Sequence, residues 1–249
     1  MITHTIADRI ATITLDAPAT RNALSMAGWQ ALAEAVRAVG AQAPRVVLMQ
    51  AAAPGMFCSG SDLREIAALG DDPARRAPFR QAMRDALDPL AQLPMPVIAA
   101  IDGDCFGAGV ALALAADIRV AGPRAVFAVT PAKLGIGYPQ QDVARLVALV
   151  GPGQAARMLY AAARIDAAEA ARIGVVEIVA DDAAAQALAM AQAMAALSPA
   201  SLRALKQAVI RAPAGDDAAL DVLFDQGFAG DDFREGLDAF RARRAPRFS

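Results

Sequence analysis

The sequence predicts a layered α/β fold, and three observations carry that expectation. Apolar runs of strand length recur along the chain, at residues 45–50, 96–101, 118–121, 125–128 and 175–179. Helix-length segments separate them, and strands alternating with helices pack as layers. Residues 105–117 then join a strand end to a Gly-Ala-Gly turn and to a run of small and apolar residues, which reads as a helix buried on every side.

The elements follow in order. Residues 5–15 alternate in polarity and read as two short strands around a turn at Asp8-Arg9. Residues 16–22 form a proline-containing loop. Ser25 caps a helix to about residue 38, with Trp29, Leu32, Val36 and Val39 on one face. Residues 70–79 are polar and broken by Pro73 and Pro78, so they read as a mobile loop, followed by a helix over 80–93. Further helices are expected over 154–162, 165–172 (opened by Asp166), 182–197, 199–211 (opened by Ser198-Pro199), 218–228 and 231–243. The strand–helix alternation has no matching sequence period.

Composition narrows the function. The chain has 249 residues and is 56% hydrophobic, enough for a large core. A net charge of −2 gives no general attraction to nucleic acid or anionic lipid. The longest apolar run, 105–116, is too short to span a bilayer. No basic-then-apolar leader opens the chain, so a cytoplasmic protein without membrane or nucleic-acid partners is expected. The two cysteines, Cys58 and Cys105, sit one in each of two glycine turns, which is no disulfide framework. His4 is the single histidine and reads as a surface residue, which argues against a serine–histidine triad or a multi-histidine zinc site. Acid–base chemistry is left to carboxylates, Tyr, Lys, Cys or water.

The two glycine turns carry the candidate chemistry. A buried helix start presents N–H groups without partners at the positive end of the helix dipole. Gly107 and Gly109 leave room for a substrate to lie against the backbone. Residues 56–65, Met-Phe-Cys-Ser-Gly-Ser-Asp-Leu-Arg-Glu, repeat the pattern of strand end, glycine turn and helix start. Two such donors aimed at one point make an oxyanion hole.

The segments 57–65 and 102–112 (Asp-Gly-Asp-Cys-Phe-Gly-Ala-Gly-Val-Ala-Leu) resemble the two signature segments of the crotonase superfamily, the enoyl-CoA hydratase/isomerase family. Arg21-Asn22-Ala23-Leu24-Ser25, Thr130-Pro131-Ala132-Lys133-Leu134-Gly135 and Glu235-Gly236-Leu237-Asp238-Ala239-Phe240 match in the same order. The resemblance runs from about residue 5 to residue 248. It implies the crotonase (ClpP/crotonase-like) fold: a spiral of β-β-α turns over residues 1–195 carrying an acyl-CoA site, and a C-terminal helical trimerisation region over 196–249. A homotrimer or hexamer (a dimer of trimers) follows by the same resemblance. So does an enzyme acting on an acyl-CoA thioester, with coenzyme A as part of the substrate and no metal or redox cofactor.

Residue by residue, the resemblance assigns the oxyanion donors to the backbone N–H groups of Ser61 and Ala108. It runs the pantetheine and nucleotide past Arg21, Asn22, Ala23 and Leu24. Ser59, Gly60, Asp62, Leu63 and Arg64 surround the adenine end, with Asp62 also bracing the helix start. Phe224 falls where relatives place an aromatic against the cofactor, and Arg243 where they place a phosphate-contacting lysine, both often from a neighbouring subunit. The basic tail around Arg243 reads equally as a solvated face.

One departure is informative. Hydratases of this family hold a water between two glutamates. Here those positions fall on Ala111 and on Pro131, or on Ala132 with the gap moved by one. Hydration through a glutamate pair is therefore not expected, and single-glutamate isomerisation is equally in doubt. Tyr138, in the pattern Thr-Pro-x-x-Leu-Gly-x-x-Tyr, resembles methylmalonyl-CoA decarboxylase-like members. There it would orient a carboxylate or supply a proton; it reads equally as a pocket wall whose hydroxyl a neighbour satisfies. Thr130 is a further hydrogen-bonding group. Asp142 and Glu65 are the nearest acids in sequence, with Asp142 expected at a helix start. Decarboxylation, isomerisation with another acid, and non-catalytic CoA binding all stay open at this level.

Overall fold

Asp8 and Arg9 both take positive φ, 50° and 66°, the turn geometry whose twist matches that of a hairpin. They join β1 (Ile2–Ala7) to β2 (Ile10–Leu15) antiparallel, with His4 exposed on β1. The structure is a computed structural model and describes residues 1–249. After the hairpin come α1 (Met26–Gln42), β3 (Val46–Ala51), β4 (Met56–Cys58), α2 (Leu63–Asp71), α3 (Arg76–Gln92), β5 (Val97–Ile101) and β6 (Asp104–Phe106). Then follow α4 (Ala108–Leu114), β7 (Ile118–Ala121), β8 (Val126–Ala128), α5 (Gln140–Tyr160), β9 (Ile165–Asp166), α6 (Ala167–Ile173) and β10 (Ile178–Val179). The chain ends in α7 (Ala183–Ala195), α8 (Pro199–Arg211), α9 (Ala218–Gly227) and α10 (Asp231–Ala242).

The strands divide between two sheets. The larger has the order β1-β2-β3-β5-β7-β10 and the smaller β4-β6-β8-β9. Each of three successive strand pairs lays its first strand in the larger sheet and its second in the smaller. Helices then carry the chain to the next pair. This is the β-β-α spiral the sequence pointed to. Neighbours β2, β3, β5, β7 and β10 are parallel, and parallel strands covered on both faces read as continuous apolar runs, as Val97–Ile101 does. Trp29, Leu32, Val36 and Val39 of α1 enter the core, and Ser25 accepts the Gly28 N–H as its cap. All seven residues of α4 are buried.

Three expectations change. Residues 70–79 are not a loop: α2 runs to Asp71, a 3₁₀ turn covers Pro73–Arg75, and α3 begins at Arg76. The polar residues there act as caps. Arg76 donates to the Leu69 and Gly70 carbonyls at the end of α2, and Asp72 accepts from Ala74 N. Pro78 stands in the first turn of α3, where its missing N–H costs nothing. Second, α5 begins at Gln140, where a helix start was expected near Asp142, and it continues through the helix expected from residue 154. The two helical stretches meet at a kink at Gly151-Pro152, with Gly151 at the non-helical φ 73° and ψ 163°. Third, β10 spans only Ile178–Val179.

Beyond Ala195, only Ser198, Lys206 and Ala239 are buried. Lys206 fastens α8 to the core. Its Nζ donates to Asp117 at 2.7 Å and to the Met95 carbonyl at 3.0 Å, while Asp117 also accepts from Val97 N. Burial lowers the lysine pKa and Asp117 opposes that shift. Asp117→Ala should destabilise the fold by about 3–5 kcal/mol, because it strands a buried ammonium. Adding Lys206→Met should restore much of the loss. Urea unfolding at fixed protein concentration measures both; equal midpoints for wild type and Asp117→Ala would show the pair to be idle.

Candidate active site

Strands β4 and β6 are parallel neighbours with Cys58 opposite Cys105. The turns that follow them therefore leave the same end of the smaller sheet side by side. From β4 the chain passes Ser59, Gly60 and Ser61 into α2; from β6 it passes Gly107 into α4. The two backbones touch. A Cβ on Gly60 would lie 2.9 Å from the Phe106 carbonyl oxygen and 3.2 Å from Ala108 N, and one on Gly109 would lie 2.3 Å from the Cys58 carbonyl oxygen. Glycine is required at both by contact distance, and at Gly60 also by a φ of 104°.

Two N–H groups come to this junction without protein partners. Leu24 forms a bridge with the turn: Leu24 N donates to the Gly60 carbonyl and Asp62 N to the Leu24 carbonyl. This uses the groups flanking Ser61 and leaves its own N–H unbonded. Ala108 is the first residue of α4, so its N–H has no partner within the helix, and it finds none elsewhere in the chain. Asp62 caps α2 by accepting from Arg64 N at 2.8 Å, while Leu63 and Arg64 point outward and are exposed.

The loop before α1 lies against the first turn. Arg21 and Asn22 both have a φ of 54°. Asn22 is buried, and its amide closes the loop. Oδ1 accepts from Ala17 N at 2.7 Å and Nδ2 donates to the Phe57 carbonyl at 3.0 Å. The Arg21 carbonyl accepts from Ser59 N, and its guanidinium pairs with Asp104 at 2.9 Å. A cleft of about 350 Å³ opens beside this loop, lined by Asn22, Ala23, Leu24, Ser25 and Asp62 with residues of β1 and β2. Phe224 and Arg243 lie in the C-terminal helices. Phe224 stacks edge-on against Phe228 at 5.2 Å, and Arg243 ends α10. No hydrogen bond or ion pair joins either side chain to the two turns. Arg241 pairs with Asp238 and Arg244 with Glu235, which leaves Arg243 without an ion-pair partner.

The titratable groups nearby are committed. Tyr138 Oη donates to the Gly107 carbonyl at 2.9 Å. Burial, then the Asp142 carboxylate, holds its phenol well above the ordinary value. Asp142 is fully buried in the first turn of α5. It accepts two bonds from Arg84, at 2.9 and 2.8 Å, and one from Arg145 at 3.3 Å. Burial raises its pKa against the pull of Arg84. Glu65 accepts from Met26 N at 2.6 Å, at the start of α1. Ala111 is buried in α4, and Pro131 opens the 3₁₀ turn Pro131–Leu134. Burial pushes the Cys58 thiol up to about 12 and Cys105 well above its ordinary value, so both stay protonated. Arg84, Arg145 and Asp88, which tie α3 to α5 below Tyr138, were absent from the sequence candidates. Arg84–Asp88 and Arg145–Asp142 are ordinary i,i+4 and i,i+3 pairs within α3 and α5, whereas Arg84–Asp142 and Arg145–Asp88 cross between the helices, and no local pattern marks that crossing.

Two unbonded N–H groups on touching backbones are chemically suited to a negative oxygen. Comparison with known proteins identifies the family. The enoyl-CoA hydratase/isomerase family profile matches residues 5–249. A Mycobacterium bovis protein named "Probable enoyl-CoA hydratase echA6" is 33% identical over 255 residues, covering 100% of this chain and 99% of that protein. The mouse mitochondrial methylglutaconyl-CoA hydratase is 32% identical over 239 residues, covering 92% of this chain and 76% of that protein. A crystal structure of an enoyl-CoA hydratase/isomerase family protein from Hyphomonas neptunium superposes with a TM-score of 0.94 at 37% identity, covering 100% of this chain and 97% of that one. The chain belongs to the enoyl-CoA hydratase/isomerase family, and its fold is that of the crotonase superfamily.

Proposed function

We propose that the protein binds an acyl-CoA and stabilises a thioester enolate, with the N–H groups of Ser61 and Ala108 receiving the thioester oxygen. The observation that carries this reading is the pair of unbonded N–H groups on two backbones in contact. Such donors act without reorganising as charge develops.

The reaction we favour forms the enolate without a carboxylate base. By the family resemblance the glutamate positions fall on Ala111 and on Pro131 or Ala132, while Asp142 is held by two arginines and Glu65 accepts from the N–H at the start of α1. Decarboxylation meets this condition. The bond from Cα to the departing carboxylate breaks, CO₂ leaves, and its electron pair passes into the thioester as the enolate. Water then returns a proton to Cα. A CoA binder without turnover is the second reading, favoured by the same shortage of free acids.

Coenzyme A would run past Arg21, Asn22, Ala23 and Leu24 and along Ser59, Gly60, Asp62, Leu63 and Arg64. The side chains of Asn22 and Asp62 serve mainly to hold those backbones. Phe224 and Arg243 would reach the cofactor from a neighbouring copy. The exposed C-terminal side chains support a homotrimer or a dimer of trimers: Val209, Phe224 and Phe240 are 74%, 68% and 81% exposed in the single chain. No helix is long and apolar enough to cross a membrane.

A panel of crotonyl-, 3-enoyl-, malonyl- and methylmalonyl-CoA followed by mass spectrometry tests the reaction. Loss of CO₂ is expected. Rapid addition of water to crotonyl-CoA would overturn the argument from Ala111 and Pro131, and tight binding with no turnover would assign the second reading. Gly109→Ala should cut kcat about a hundredfold, as losing one oxyanion donor does, because its methyl forces the two turns apart. Retained turnover in that variant would contradict the two-donor site. Calorimetry should find that Arg243→Ala weakens CoA binding about tenfold, the worth of one charge-assisted contact. A pantetheine thioester should bind as before; equal losses for both ligands would place Arg243 elsewhere.

A further inference from the structure

The hydroxyl of Tyr138 does not face the cleft as a free acid. It donates at 2.9 Å to the carbonyl of Gly107, and that carbonyl belongs to the same peptide unit as the Ala108 N–H. The C=O and N–H of a trans peptide point in opposite directions. Holding the carbonyl on the tyrosine side therefore turns the N–H toward the opposite side, where Gly60 packs. We infer that Tyr138 is a positioning residue for the oxyanion hole, acting through the Gly107–Ala108 peptide to aim and strengthen the Ala108 donor. This rests on the reading of Ser61 and Ala108 as oxyanion donors.

Three features make the restraint matter. Gly107 has φ 50° and ψ −119°, a conformation where glycine moves at little cost, so this peptide is free to rotate unless something holds it. The helix holds it weakly: Val110 N reaches the carbonyl at 3.0 Å with the tight spacing of a first turn, and Ala111 N only at 3.4 Å. The tyrosine bond is the shortest of the three. A carbonyl that accepts several donors is also more polarised, and that polarisation passes through the peptide to its N–H.

Tyr138 is itself pinned. It packs against the main core and immediately precedes Pro139, whose carbonyl accepts from Asp142 N. Asp142 is clamped by Arg84 and Arg145, and Asp88 bridges the same two arginines from α3. The buried charges thus fix where the hydroxyl stands. Ala111 lies one turn along α4 from Gly107 and is buried.

Tyr138→Phe removes only the hydroxyl. Hexa-2,4-dienoyl-CoA is a suitable probe, because its absorbance moves to longer wavelength as its thioester carbonyl is polarised. At saturating ligand, wild type should show the red shift, and Tyr138→Phe should bind comparably and lose most of it. A second readout needs no ligand. The chain contains two Gly–Ala steps, 40–41 and 107–108, so glycine ¹³C-carbonyl with alanine ¹⁵N labelling gives two amide signals. The Ala108 amide should move upfield in Tyr138→Phe while Ala41 stays in place.

A tyrosine of merely structural use would lower the melting temperature yet leave the red shift of bound ligand and the Ala108 signal unchanged. That result would overturn the inference and spare the oxyanion hole. A wild type that binds the probe without a red shift would sink the oxyanion reading and this inference with it. Failure to bind the probe at all would count against the acyl-CoA reading itself.

Discussion

Where the turn after β4 meets the turn after β6, backbone packs on backbone with no side chain between them. That contact is possible because the spiral delivers the two strands as parallel neighbours, and because Gly60 and Gly109 present no Cβ at the junction. Much of the rest serves this contact. The Arg21–Ser25 loop is bridged onto the first turn by Leu24, and Asn22 ties it to β4. The second turn is backed by a helix with no exposed residue, so it rests on the packed core. A site assembled from main chain depends on fold geometry more than on any one side chain. In the proposed role, main-chain donors of this kind keep their dipoles fixed when charge appears.

Charged side chains in this protein mostly hold elements together. Lys206 and Asp117 join α8 to β5 and the end of α4, Arg119 pairs with Glu177 beneath β7, and Arg84 with Asp142 locks α3 to α5. Each pair surrounds a largely buried ion with a counter-ion and extra hydrogen bonds, the condition under which burial of charge is tolerated. The consequence for chemistry is subtractive. Acids lying close to the two turns are already engaged, so the polar resources left for a substrate are the peptide dipoles and the short helix start. That balance is the ground for the proposed reaction, in which the enolate arises by bond cleavage and no strong base is needed.

The C-terminal segment has another character. It contributes almost nothing to the main core and exposes aromatic and aliphatic side chains along α8, α9 and α10. Its attachments are specific rather than extensive: Lys206 on the core and the Phe248 carbonyl held by Arg9 and Arg45, while Ser198 bonded to Asp232 ties the segment to itself. A segment anchored at a few polar points with an apolar outer surface suits burial against other copies of the chain.

The sequence alone determined the α/β layering, the β-β-α alternation, the caps at Ser25, Asp166 and Ser198, and the family. These follow from local causes: periodicity, glycine turns, capping residues and an ordered set of motifs. It also marked Ser61, Ala108 and Tyr138 as the residues of interest. Residues 70–79 were misread because prolines and charges look the same in a loop as in a pair of caps; only the position of Arg76 against the end of α2 distinguishes them. Gly151-Pro152 carries the same ambiguity, since a kink between two helices and a helix terminus share a sequence. What tertiary structure decided was which groups meet and which remain free. That the Ser61 and Ala108 N–H groups go unbonded, that Tyr138 finds the Gly107 carbonyl, and that Asp142 is spent on arginines all depend on contacts between distant segments. Hydrogen-bond satisfaction is a property of the packed chain, and no local stretch of sequence carries it.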